Sequence, residues 1–165
     1  MGVDMGYALI RVPRSVAKRI LEEAQRLGIT PEEYLLELVT QSLDPRDKAV
    51  EYIEAAEELL GEAEEELQKG GVRQAAEKLW GAVALAVKAY AYWRDGRRLT
   101  SHGELWEYKR RLEDELGEWV SDAWNAGNTM HICFYEGWCA ARDVENAMKR
   151  VLRLVEEVKN MVKKE

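Results

Sequence analysis

The sequence predicts an all-α protein, an up-and-down helical bundle of about five helices, preceded by a short β-strand and two short helices. Beyond residue 45, apolar residues recur at intervals of three and four in every segment. Only three prolines interrupt the 165 residues, while glycine, serine and threonine punctuate the chain where helices are expected to start and stop. With 47% hydrophobic and 33% charged residues, the chain has the material for a packed core.

The elements follow in order. "YALIRVP", residues 7–13, alternates Ala8, Ile10 and Val12 with Tyr7, Leu9 and Arg11, and predicts the single strand, stopped by Pro13. Ser15 is placed to cap a helix over 15–27, with Val16, Ile20, Leu21, Ala24 and Leu27 at helical spacing and Gly28 at its end. Thr30-Pro31-Glu32-Glu33 gives an N-cap, a first-turn proline and early acids for a second helix to about residue 42. "LDPRD", 43–47, marks a boundary between a segment over 1–44 and a bundle over 45–165.

In the bundle, Val50, Ile53, Ala56, Leu60, Ala63 and Leu67 line one face of a long helix whose other face is mostly glutamate. After "KGG", the helix over about 72–94 is apolar almost all round from Leu79 to Trp93, which makes it the central buried element. "RDGRRLTSHGEL" is a loop ending in a Ser101 cap; the helix after it carries Leu105, Tyr108, Leu112 and Leu116. Gly117 separates that helix from the one bearing "WNAGNTMHICFYEGW". A last amphipathic helix follows, with Val144, Met148, Val151, Val155, Val158 and Val162 on its apolar stripe.

The net charge of -7 argues against generic polyanion binding, which needs clustered cations, but leaves room for a local basic patch. No basic region followed by a long apolar run opens the chain, and "MGVDMG" lacks the myristoylation residue. The apolar run "GAVALAVKAYAYW" is broken by Lys88 and is too short for a bilayer, so the expected location is the cytoplasm. The richness in Glu, Lys and Arg suits a thermophile. His131, Cys133 and Cys139 fit no standard zinc spacing, and no metal or cofactor is expected. On one straight helix the two cysteines would stand about 9 Å apart, which predicts buried free thiols.

The chemistry centres on His131. On a helix, Trp124, Asn128, His131, Tyr135 and Trp138 share a stripe. Two readings stay open: a histidine hydrogen-bonded within an aromatic core, or an acid–base group whose tautomer Asn125 or Asn128 fixes, with Gly127 loosening the helix between them.

"AAEKLWGAVALAVKAYA", "TSHGELWEY" and "NTMHICFYEGW" resemble, in order and spacing over roughly residues 46–160, the successive helices of HEPN-type domains, in particular the archaeal PaREP-type proteins. The resemblance implies a commonly dimeric bundle in a superfamily rich in metal-independent ribonucleases. RNA or a nucleotide would be its ligand, and a nucleotidyltransferase-type protein its partner. Those ribonucleases carry an arginine four to six residues before a catalytic histidine. Here His131 matches the histidine, while Asn125 stands six residues upstream, and a neutral amide cannot supply the charge that stabilises a phosphorane. The implied site is therefore degenerate, at most a weak ribonuclease. Arg97 and His102 have the literal spacing, but His102 falls at a helix start where the family has a structural histidine. Arg94, Arg97 and Arg98 form the densest basic loop, which is expected to meet the His131 face across a dimer and lend it phosphate contacts; Asn128, Tyr135 and His102 complete the expected binding residues.

The first 43 residues resemble ribbon-helix-helix proteins, which pair strands between two chains and read DNA with outward strand residues, here Tyr7, Leu9 and Arg11. Only one of these is a cation, so the expectation is a dimerisation clip first and a DNA reader second. "AEEELQKGGVRQAAEKLWGA" also resembles one tetratricopeptide-type hairpin, which implies a protein-interaction scaffold. No third copy is present to stabilise a repeat array.

Overall fold

The structure, a computed structural model, describes residues 8–164, and these form seven helices. They are α1 (Arg14–Leu27), α2 (Pro31–Thr40), α3 (Pro45–Gln68), α4 (Val72–Asp95), α5 (His102–Leu116), α6 (Trp119–Glu136) and α7 (Ala141–Lys163). The all-α class fits, but the expected strand does not: no strand occurs among the described residues, and 8–13 are irregular and exposed. Alternation makes a segment competent for a sheet; a strand exists only once a second one pairs with it. Leu9 is fully exposed and Arg11 exposed on irregular backbone, and Tyr7 lies outside the described residues.

The chain divides into two compact units at Asp44 and Pro45. In the first, α1 and α2 pair as a hairpin around Gly28. Ser15 caps nothing, because the helix has already begun at Arg14 behind Pro13; Thr30 does cap α2, its hydroxyl accepting from the Glu33 N–H at 3.1 Å.

In the second unit α4 packs against all four other helices, and half of its length is buried. Leu79, Val83, Ala86, Val87 and Ala89 are fully enclosed. Cross-links fix the directions. Lys78 with Glu62 (2.8 Å) and Tyr92 with Tyr52 (5.1 Å between ring centroids) set α3 antiparallel to α4. Lys159 with Glu57 (2.9 Å) and Lys163 with Glu54 (3.2 Å) set α7 antiparallel to α3. Four helices thus alternate, α3, α4, α6 and α7. The fifth breaks the up-and-down pattern: His102 lies beside Trp80, Tyr108 beside Tyr90, and Glu115 beside Arg94, so α5 ascends alongside α4. The extended loop over 96–101 carries the chain back to allow this. At its end Ser101 caps α5, accepting from the Glu104 N–H at 3.2 Å, while the Glu104 carboxylate takes the Thr100 N–H at 2.7 Å.

α4 and α6 approach each other closely at Gly127. Gly127 is buried, and a Cβ there would stand 2.6 Å from Val83 Cγ2. Its role is therefore close packing rather than loosening of α6. Gly127→Ala must push the two helices apart or displace Val83. We expect it to lower the unfolding free energy by about 1–3 kcal/mol in chemical denaturation, although alanine is the better helix former. An unchanged midpoint would show that the approach is not tight.

Candidate functional site

The site forms where α4 and α6 meet at the end of α6. Gly137, with φ of +73°, takes the left-handed conformation that stops α6, and its N–H donates to the Cys133 carbonyl. Arg73 closes that end: its Nε and Nη2 donate to the Phe134 carbonyl at 2.9 and 2.6 Å, and Nη2 reaches the Tyr135 carbonyl at 3.3 Å. A guanidinium at the negative end of a helix dipole is favourably placed.

One turn further along α4 stands Glu77, and nearly one more turn along stands Trp80; the three share a face by their spacing of four and three. His131 Nδ1 lies 2.9 Å from Glu77 Oε2. Its ring is tilted 31° over Trp80 at 5.3 Å and meets the edge of Tyr135 at 5.0 Å. The side chains of His131 and Glu77 are 32% and 29% exposed, so the pair is neither sealed in the core nor loose in solvent. Behind them Trp124 is fully buried between Trp80 and Trp106, in edge contacts at 5.3 and 5.2 Å, and its indole N–H finds no acceptor. His102, the other histidine in the chain, lies 6.1 Å from the Trp80 ring. Both imidazoles therefore border one indole.

Burial raises the Glu77 carboxyl above its ordinary value of 4.5, and the bond to His131 pulls the other way. An ionised carboxylate only accepts hydrogen bonds, so His131 must carry its proton on Nδ1. That leaves Nε2 as the nitrogen free to exchange one. This is the arrangement an acid–base group needs: an orienting partner on one nitrogen and partial solvent access.

The other expected residues distribute as follows. Tyr135 belongs to the site and is 69% exposed. Asn128 is half-buried, one turn before His131 on α6. Asn125, six residues upstream, is rotated about 120° from His131 and lines a groove between α6 and α7, so the residue that orients the imidazole is Glu77. Trp138 leaves the stripe because α6 has ended at Glu136.

The basic loop is not at the site within this chain. Arg94 is fourteen residues, about 21 Å of helix, beyond Trp80. It pairs with Glu115 (3.2 Å), and Arg97 pairs with Glu104 (3.2 Å) and Glu107 (3.8 Å), so this charge is neutralised by α5; Arg98 is exposed.

The cysteines are also corrected. Cys133 and Cys139 form a disulfide with their Cα atoms 5.6 Å apart. The expectation of free thiols assumed a helix running through both, and Gly137 is the residue that ends it between them. Sequence reasoning missed Arg73, Glu77 and Trp80 as site residues, although "RQAAEKLW" displays their common face. No group of three or more potential metal-ligating side chains comes together among the described residues.

These features define a class, a helical bundle that presents a histidine–glutamate pair on an aromatic shelf between two antiparallel helices. Residues 51–155 match the archaeal PaREP1/PaREP8 family, and the chain belongs to that family. The matched stretch includes every residue of the shelf. No curated protein and no solved structure matches the chain. No helix among the described residues is long and apolar enough to cross a membrane.

The Glu77 shift has a measurable sign. A carboxyl whose folded pKa lies above its unfolded value holds its proton more tightly when folded. Its contribution to stability is full below the unfolded value and declines as pH rises through the folded one. As pH rises from about 4.5 through the carboxyl's raised folded value, the stability of the wild type relative to Glu77→Gln should therefore fall. A difference that grows over this interval, measured by urea denaturation, would reverse the assignment.

Proposed function

We propose that the protein is an HEPN-like, RNA- or nucleotide-associated protein whose working centre is the His131–Glu77 pair. The observation that supports this best is the 2.9 Å bond from Nδ1 to a half-buried carboxylate, in a place that solvent still reaches. A buried structural histidine would need no such access. Around it, the exposed Tyr135 ring offers a stacking surface for an unpaired base, the usual means by which single-stranded RNA is held.

The same geometry limits catalysis. In metal-independent cleavage the 2′-hydroxyl proton passes to the imidazole, the O2′–P bond forms as the P–O5′ bond breaks, and the departing oxygen must gain a proton. His131 can take the first proton. The cation that should stabilise the phosphorane is missing from α6, and the guanidinium of Arg73, which closes the end of that helix, is committed to the carbonyls of Phe134 and Tyr135. Loss of such a contact costs about 3 kcal/mol of transition-state stabilisation or more. The protein is therefore a binder first, with slow cleavage at most.

The test is retention of a single-stranded oligoribonucleotide at low salt in the presence of chelator. Binding should weaken by about tenfold in Tyr135→Ala and in His131→Ala. Any cleavage should leave cyclic-phosphate ends and vanish with His131→Ala. Absence of retention, or retention by both variants as strong as that of the wild type, contradicts the proposal.

A further inference from the structure

A second feature lies on the side of α6 turned away from His131. There α6 and α7 flank an open groove of about 370 Å³, toward the lower end of the range of roughly 300–1,000 Å³ seen for small-ligand sites. Ala126, Met130 and Ala147 give it an apolar floor of small and flexible side chains. Asn125 from α6 and Asn146 from α7 contribute two amides, and Trp138 contributes an indole that is 51% exposed.

We propose that this groove binds adenosine, with the base stacked on Trp138 and its edge read by the two amides. Each amide offers an acceptor and a donor, the complement of the N6 amine and N7 of adenine. A half-exposed indole beside such groups supplies the stacking surface for a planar base.

The charges in the groove select against polyphosphates. Asp122 and Asp143 line it together with a single cation, Arg150, whose Nη1 already donates to the Asn146 carbonyl at 3.0 Å. Asp143 is itself engaged, accepting from the Ala140 N–H at 2.8 Å. A nucleoside meets no repulsion there; a di- or triphosphate does.

The platform is held by the chain's own disulfide. Trp138 sits between Gly137, in the left-handed conformation, and Cys139, which is joined to fully buried Cys133. The bridge fixes the position of the indole at the groove, and its reduction by a dithiol, which is itself oxidised to a disulfide as two cysteine thiols form, releases that anchor.

Titration calorimetry of the full chain with adenosine tests this. Saturable binding is expected, weakened about tenfold in Trp138→Ala and in Asn125→Ala, weaker for ATP than for adenosine, and reduced in Cys139→Ser. Both Trp138 and Asn125 are exposed, so circular dichroism should show their variants folded. His131→Ala should leave adenosine binding unchanged, which separates this site from the one proposed for RNA. No adenosine heat up to millimolar concentration, or equal affinity in Trp138→Ala, overturns the proposal.

Discussion

The closeness of α4 to α6 is the constraint from which the rest follows. It exists because residue 127 has no side chain, so that Val83 can occupy the space a Cβ would need. With the helices held at that distance, Trp124 fits between Trp80 and Trp106, and Glu77 comes within hydrogen-bond reach of His131. A histidine–carboxylate bond across two helices is sensitive to spacing, and an ångström of separation would turn it into a water-bridged contact. The packing thus sets the chemistry, since neither partner is positioned by its own helix alone.

The helices were largely legible from the sequence because their signals are local. Thr30 and Ser101 cap α2 and α5 through their side chains, Gly28 ends α1, and the nearly all-apolar face of α4 marks the helix that touches the four other helices of the second unit. The failures come from non-local facts. Residues 8–13 alternate as a strand does, but pairing depends on a partner that alternation cannot supply. The parallel course of α5 depends on the extended loop over 96–101, whose path no periodicity records.

The site was legible by half. His131 and Tyr135 were found because they share a helix stripe, whereas Glu77 and Arg73 come from a helix more than fifty residues earlier. Searching for the partner of His131 along its own helix led to Asn125, which faces the groove between α6 and α7. The disulfide was missed for a related reason: the estimate of 9 Å applied helical rise across Gly137, which ends the helix. One glycine in the left-handed region brings the Cα atoms to 5.6 Å and moves Trp138 from the imidazole's stripe to the opposite groove.

His131 and Glu77 act as one unit held by the packing of α4 against α6. A double-mutant cycle on folding stability, with Glu77→Ala, His131→Ala and the double variant, measures that directly. A bond of this kind, partly solvated, should give a coupling energy of about 1 kcal/mol. A coupling indistinguishable from zero would mean that the imidazole and the carboxylate lie near each other without interacting, and the reading of this site as an acid–base centre would be wrong.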